Sequence, residues 1–270
     1  MRKIKGSLIT VATWVIVVLF FFPVFWMFIN AFKSEQVASA IPPTIVFEPS
    51  FAGFQRLMDR GMVDYLTNSV TSSVVSTVIV LLLAIPGAYA LSIRPIKKVQ
   101  DALFFFISTR FMPAAASLLP LYMIFKSLGL LDNINALSLV YAAMNLPIAI
   151  WMMRSFFNEV PIDIVEAAQI DGANFRTELI RIVLPIVLPG IAAVALICFI
   201  FSWNEYFLAT LLTTSDAKTA PPFLASFVDG RGLFLGVLSA AAMVAALPVL
   251  VAGWVAQKQL VRGLAMGAVK

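Results

Sequence analysis

The sequence contains no histidine and one cysteine, and only 12% of its 270 residues are charged. A single cysteine forms no disulfide within one chain. Without histidine there is no Ser-His or Cys-His nucleophile pair and no tetrahedral Cys/His metal site. Cys198 lies in an apolar run, where a free cysteine acts as a small buried hydrophobe. The Gly-x-x-x-x-Gly-Lys-Ser/Thr phosphate loop is also missing, so the chain is not expected to hydrolyse ATP by itself.

The apolar residues dominate the composition instead, at 61%. Soluble domains carry roughly twice the charged fraction found here. The apolar residues fall in long runs, and a run of about 20 such residues crosses a bilayer as a helix. The net charge of +5 would suit nucleic acid, but the Lys and Arg residues are scattered between the apolar runs, where membrane topology explains them better. The sequence therefore predicts an integral membrane protein with no nucleic-acid partner.

Six apolar segments predict an all-α integral membrane protein with six transmembrane helices in a single domain over residues 1–270. The predicted spans are 8–29, 66–93, 102–126, 134–156, 184–212 and 233–256. The first span follows a basic start, as a signal sequence does, but it is too long and carries bulky aromatic residues, so we expect it to be retained. Placing both termini inside gives the inner loops about twice as many Lys and Arg residues as the outer loops. We therefore expect cytoplasmic N- and C-termini.

The predicted cytoplasmic loop, 157–183, is typical of a short helix, a glycine turn and a second helix that leads into span five. Pro161 suits the first turn of a helix, and Gly172 suits the left-handed residue that ends one. Ile162, Val165 and Ala168 form a narrow apolar stripe on a helix too short to be stable alone in water. The stripe packs either on its own chain or on a partner, and these residues do not distinguish the two.

A spaced pattern in this loop resembles the EAA motif of binding-protein-dependent ABC importer permeases. Glu-Ala-Ala is followed by three residues, a glycine, nine residues, Ile, one residue and Leu-Pro. The resemblance implies that the loop forms a coupling helix, which docks in a cleft of a separate ATP-binding subunit and is anchored to span five. The residues to which it assigns this coupling are Glu166, Ala167, Ala168, Asp171, Gly172, Ile182, Leu184 and Pro185.

Shorter stretches resemble the carbohydrate-uptake branch of the same family. They are residues 68–69, 88–91, 112–113, 119–122, 128–130 and 203–206. The tail, 257–270, resembles the end of the maltose G-type permease subunit, where the tail reaches between the ATPase subunits. This implies ATPase contacts for Arg262, Gly263 and Gly267. Together the resemblances cover the chain from about residue 66 to its end.

Polar residues within membrane spans are energetically costly and often functional. Planar polar groups beside aromatic faces suit a sugar, so the candidates for the solute pathway are Trp203, Asn204, Glu205, Tyr206, Asn145 and Asn68. The same residue types also join helices by hydrogen bonds or lie at membrane interfaces. Both interpretations stay open from the sequence.

The resemblance implies the non-catalytic permease subunit of a bacterial inner-membrane importer for a sugar, sugar alcohol or modified sugar, working by alternating access. Its implied partners are a second homologous permease, two ATP-binding subunits that hold ATP and Mg, and an extracytoplasmic solute-binding protein. The outer loops, 30–65 and 213–232, are candidate docking surfaces for that protein. No cofactor or metal is expected on this chain.

Two other classes compete with this interpretation. One is a self-sufficient secondary transporter, in which coupling would rest on Glu205, the one acidic residue within a predicted span. The other is a membrane-embedded enzyme, which would have neither histidine nor a pair of carboxylates within the spans. The loop with the glycine turn has no role in either alternative.

Overall fold

A computed structural model describes residues 2–94, 97–111, 114–229 and 232–267, with the backbone alone for 2–8, 114–115, 229, 232–233 and 260–267. This part of the chain is helical except for one short hairpin. Its elements are α1 Arg2–Ala31, α2 Glu35–Ala38, α3 Ala52–Asp59, α4 Met62–Ala90, α5 Val99–Arg110, α6 Ala114–Ser127, α7 Ile134–Phe157, α8 Ile162–Ile170, α9 Phe175–Thr177, a π-helix Glu178–Val183, α10 Leu184–Trp203, α11 Phe207–Leu212, α12 Ala220–Ala225, β1 Val228–Asp229, β2 Gly232–Leu233 and α13 Leu235–Gly267. The two strands pair antiparallel.

Five helical stretches among the described residues are long and apolar enough to cross a membrane. They are Ile9–Ala31, Met62–Ala90, Ile134–Phe157, Phe175–Trp203 and Leu235–Gln259. Each corresponds to a predicted span. The predicted third span, 102–126, is instead built as α5 and α6, with the first ending at Arg110 and the second beginning at Ala114. The sequence has a proline at 113, and proline both lacks the N–H of a helical ladder and disfavours helix in the residue before it.

The predicted fifth span, 184–212, is not one continuous helix either. Its helix, α10, ends at Trp203. The Asn204 amide donates to the Ile200 carbonyl at 2.9 Å. The Glu205 carboxylate accepts from the backbone N–H groups of Leu208 and Ala209, both within 3.1 Å. Side chains that bond to nearby backbone groups in this way compete with the helical ladder. A short separate helix, α11, follows.

The chain divides into two compact units, and a single domain over 1–270 remains a prediction. The first unit comprises Met1–Asp64 and Phe223–Leu247. In it the Glu35 carboxylate accepts from the backbone N–H groups of Gly236 and Val237, in the first turn of α13, at 3.2 and 3.3 Å. A negative charge is favourable at the positive end of a helix. In the same unit the Phe32 ring packs edge-to-face against Phe51 and at a tilt against Phe54.

The second unit comprises Tyr65–Pro222 and Pro248–Lys270. Its most buried membrane helix is α7, which packs against α5 and α10. Gly190 on α10 faces the Phe156 ring of α7 so closely that any side chain there would overlap the ring. The core contains Val80, Ala84, Tyr89, Ala149, Met153, Phe157, Val183 and Val194, all fully buried. This core supports the loop described next.

Candidate functional site

The loop between α7 and α10 begins with α8, which ends in a Schellman-type turn. Gly172 has φ +81°, the left-handed conformation that suits glycine. Its N–H donates to the Gln169 carbonyl at 3.0 Å, and the Ala173 N–H donates to the Ala168 carbonyl at 2.9 Å. These are the two hydrogen bonds of that motif, and they satisfy carbonyls that a helix end leaves open.

One side of α8 packs on its own chain. Val165 is 1% and Ala168 is 7% exposed, and Val165 lies in the core cluster with Leu179 and Val183. The predicted stripe of Ile162, Val165 and Ala168 is therefore divided, because Ile162 is 51% exposed. Two of its three residues pack internally.

The opposite side of α8 is exposed. Glu166 and Ala167 lie there, and Ile170 beside them is 86% exposed. Asp171 and Gly172 in the turn are exposed as well. An exposed isoleucine beside a small alanine and a carboxylate is a compact surface with both apolar and charged character.

The segment after the turn continues into α10 without a break. The Asn174 side chain accepts from the Thr177 N–H at 3.0 Å and caps α9. The π-helix follows directly and leads into α10, which has a proline in its first turn. Of the residues predicted to anchor this connection, Ile182 and Leu184 are half-buried and Pro185 is exposed.

A buried carboxylate that sequence reasoning missed joins this loop to its surroundings. Glu178 is 0% exposed, and its Oε2 accepts from Arg94 Nη2 at 2.7 Å and from Gln169 Nε2 at 3.1 Å. Its signal in the sequence was an acidic residue six positions after Gly172, in a segment that otherwise becomes apolar. That signal alone does not identify a partner.

The residues 203–206 serve different structural roles. Trp203 is buried and stacks on Phe199 with ring centroids 5.7 Å apart. Glu205 is half-buried and its carboxylate accepts the first N–H groups of α11, whereas Asn204 and Tyr206 are exposed. Of the four, only these last two are exposed, Tyr206 to 39%.

Asn145 and Asn68 both bond within the second unit. Asn145 is fully buried and donates to Ser202 Oγ at 2.9 Å, and Ser202 Oγ lies 2.9 Å from Ser76 Oγ. Asn68 donates to the backbone carbonyls of Asp216 and Lys218 at 2.7 and 3.0 Å. In this structure both asparagines connect elements of the chain.

A polar stripe along α4 was overlooked as a set. Its members recur three to four residues apart and are buried: Ser69, Ser72, Ser73, Ser76 and Thr77. The signal was available, because serines at that spacing share one face of a helix. One of them joins two membrane helices, because Ser76 Oγ lies 2.9 Å from Ser202 Oγ of α10, whereas Ser72 and Thr77 bond to carbonyls of their own helix.

The outer loop after α11 is held by another residue that sequence reasoning missed. The Asp132 carboxylate accepts from the four consecutive backbone N–H groups of residues 214–217, at 3.0 to 3.1 Å. The hydroxyls of Thr214 and Ser215 donate to it too, both at 2.9 Å. One carboxylate thus satisfies four consecutive backbone N–H donors.

The remaining predicted residues are in the tail. The backbone of α13 is helical to Gly267, and the side chains of residues 260–267, which include Arg262, lie outside the described part of the chain, as do residues 112–113. Among the residues that the structure describes, no group of three or more Cys, Asp or Glu side chains is placed to hold a metal ion.

Comparison with known proteins identifies relatives for almost the whole chain. The sequence model of the family "Binding-protein-dependent transport system inner membrane component" matches residues 67–263. A probable ABC transporter permease protein of Sinorhizobium fredii is 36% identical, over 100% of this chain and 97% of the relative. A trehalose transport system permease protein of Mycobacterium tuberculosis is 32% identical, over 92% of each.

The fold is also similar to a solved structure. It is a chain from the crystal structure of a bacterial ABC transporter involved in the import of the acidic polysaccharide alginate. The TM-score is 0.77 at 24% identity, over 96% of this chain and 97% of that chain. This likeness concerns the arrangement of the backbone.

Proposed function

This chain belongs to the family of binding-protein-dependent transport system inner membrane components, the permeases of ABC importers, and we propose that it carries a sugar or a related solute as one of two homologous permease subunits. Two ATP-binding subunits would hold ATP and Mg, and an extracytoplasmic solute-binding protein would deliver the solute. The family favours this function over a secondary transporter. The permease itself performs no catalysis in this proposal.

The observation that carries the proposal is the two-sided packing of α8. Val165 and Ala168 fix one side to the permease core, while Glu166, Ala167 and Ile170 leave the other side exposed. A helix held on one side and free on the other suits a groove on a partner protein. The small side chain of Ala167 permits close approach there. We therefore assign the ATP-binding subunit to this exposed face, with the Gly172 turn at its end.

The proposed topology has six membrane crossings with both termini in the cytoplasm of the bacterial inner membrane. Neither α5 nor α6 reaches the length of about 20 residues that a bilayer requires, but the two together exceed it. We infer that together they form the third crossing.

The solute class rests on the trehalose permease relative and on the residues at the end of α10. Asn204 and Tyr206 are exposed and combine an amide with an aromatic ring, as sugar recognition requires. Glu205, which bonds to the start of α11, and the buried Trp203 would hold these two residues in position. Asn145 and Asn68 would act on the pathway indirectly, through the helices that they join.

The mechanism that we propose is alternating access. ATP binding closes the ATP-binding subunits, and α8 moves with them. Because α8 packs on the π-helix that runs directly into α10, its displacement reaches the membrane spans as a rigid-body motion. The permease pair then opens outward to receive solute, and hydrolysis resets it.

The docking role of α8 is tested by Glu166→Lys. We expect the ATP-binding subunit that co-purifies with the tagged chain from detergent-solubilised membranes to fall about tenfold, because a reversed charge in a docking face is unfavourable. Glu159→Lys is the matched control, since Glu159 is also exposed and lies just before α8. Equal recovery with both variants would contradict the assigned face.

A further inference from the structure

One carboxylate touches three segments around the coupling loop. Glu178 begins the π-helix, Gln169 lies in the last turn of α8, and Arg94 follows α4. Glu178 Oε2 accepts from Arg94 Nη2 at 2.7 Å and from Gln169 Nε2 at 3.1 Å. Hydrogen bonds between charged groups are shorter and stronger than neutral ones. The pair with Arg94 is therefore a strong link at a buried site.

The contacts of α8 with the core differ in kind from this link. Val165 and Ala168 pack by apolar surface, which resists separation but has no preferred direction. Hydrogen bonds weaken steeply when the angle at the hydrogen departs from linearity. The Gln169–Glu178 bond therefore constrains the orientation of α8 relative to the start of α10 in a way that the apolar contacts do not.

The local backbone and the second carboxylate oxygen add to this interpretation. Residues 178–183 form a π-helix, a rare geometry that is frequent at functional sites. Glu178 Oε1 is buried and has no hydrogen-bond partner among the described residues. It offers Gln169 or Arg94 an alternative acceptor when α8 shifts. The site thus has the parts of an element with two discrete arrangements.

We propose that Glu178 is a positioning residue that transmits the movement of α8 to α10 and to the end of α4. The inference rests on the proposed function, because it needs an ATP-binding subunit that moves α8. Glu178 does not itself contact that subunit, since it is fully buried within the permease. Its role differs from that of Glu166 and Ala167, which face outward.

The test follows the far end of α10 in the complex purified through the tagged full-length chain. Cys198→Ser removes the single native thiol of this chain, and Phe207→Cys places a new one at an exposed position just beyond the end of α10. The rate of reaction with a membrane-impermeant maleimide is measured with and without MgATP. We expect MgATP to change this rate in the reference protein.

Glu178→Leu should reduce the MgATP-dependent change about fivefold or more, the lower end of typical coupling between sites. The ATP-binding subunit should still co-purify. Glu178→Gln keeps a side-chain oxygen that accepts from Gln169 and should retain more than half of the response. Glu159→Gln removes an exposed charge from the same loop and should leave the response unchanged.

Gln169→Leu provides a second variant, which leaves the pair between the buried Glu178 carboxylate and the half-exposed Arg94 intact. We expect an intermediate loss of the response. A full MgATP response in both Glu178→Leu and Gln169→Leu would overturn the inference. So would loss of the ATP-binding subunit from both variants, because the residues would then maintain the docking surface. No MgATP response in the reference protein would instead contradict the proposed function, and the inference with it.

Discussion

At the residue scale, Asp132 shows how one side chain organises an outer loop. Burial by itself raises the pKa of this carboxyl, but the four backbone N–H donors at residues 214–217 outweigh burial and hold the pKa well below its ordinary value. Asp132 has φ +56°, and its own N–H donates to the Leu212 carbonyl at 2.8 Å. The loop that follows α11 is thus fixed before any partner binds.

Asp132→Asn should weaken this loop. The amide has one acceptor oxygen and no charge, so we expect the free energy of local unfolding to fall by about 2 kcal/mol, the typical contribution of hydrogen bonds to a charged group. Hydrogen exchange at the backbone amides of 214–217 measures it. Asp216→Asn, at an exposed position of the same loop, is the control. Unchanged protection in Asp132→Asn would contradict the interpretation.

The pH dependence of this difference follows from linkage. Because the pKa of Asp132 is lower in the folded protein than in the unfolded chain, its stabilising contribution is complete above the unfolded value of 3.8. It is lost as the pH falls further, through the folded pKa. The difference in protection between wild type and Asp132→Asn should therefore be constant near neutral pH and shrink only in strong acid.

Lys33 shows a residue-scale limit of sequence reasoning. It lies in the predicted outer loop 30–65, where solvent exposure would be expected for a lysine, yet its side chain is 1% exposed. Its Nζ donates to Asn30 Oδ1 at 2.8 Å and lies 4.5 Å from the centre of the Trp26 ring. Burial lowers the pKa of this lysine. Asn30 and Trp26 lie three and seven residues before Lys33, a helical spacing that the sequence shows. The Phe47 ring, 5.2 Å from Nζ, is a contact that depends on how the first unit folds.

At the element scale, the conformation of Gly172 makes the coupling loop testable. Gly172→Pro demands a φ near −65° where the chain has +81°, and it removes the N–H that bonds to the Gln169 carbonyl. We expect the permease to remain folded and to lose the ATPase stimulation given by its solute-binding protein. The measurement is ATPase activity of the purified complex with and without that protein.

Gly129→Pro is the matched control for this experiment. Gly129 has φ +66°, a similar N–H bond to the Lys126 carbonyl and no atom near its Cβ position, but it lies in the turn after α6. The local cost of roughly 3 kcal/mol is the same in both. Normal stimulation in Gly172→Pro would remove the coupling role from this turn, as would equal loss in both variants.

The sequence predicted elements well where local chemistry decides them. The helix expected at 161–171 is found at Ile162–Ile170, and Gly172 takes the left-handed conformation. The fifth predicted span, 184–212, is longer than its helix, which ends at Trp203, and the third, 102–126, is not among the five long apolar helices of the described residues. In the fifth, the cap bonds of Asn204 and Glu205 end the helix within an apolar run. Hydropathy averages over such residues and so does not register them.

At the scale of the whole molecule, the apolar composition predicts a protein surrounded by lipid, and the spaced motif in the loop 157–183 predicts its family. The α1 membrane helix has none of its span buried in the chain, and large apolar side chains such as Phe20 are widely exposed. Exposed apolar surface of this extent requires lipid or partner subunits. The Arg94–Glu178–Gln169 link was not predictable, since Arg94 lies 84 residues before Glu178 in the sequence.

The most direct test of the central claim is to purify the tagged chain from detergent-solubilised native membranes and assay ATP hydrolysis in the eluate. The sequence has no Gly-x-x-x-x-Gly-Lys-Ser/Thr phosphate loop, so we expect any ATP hydrolysis in the eluate to come from a partner. We predict that a Walker-motif ATPase and a second permease co-elute and that the eluate hydrolyses ATP. A chain that elutes alone and moves solute in ATP-free liposomes would contradict the account and make Glu205 the residue to study.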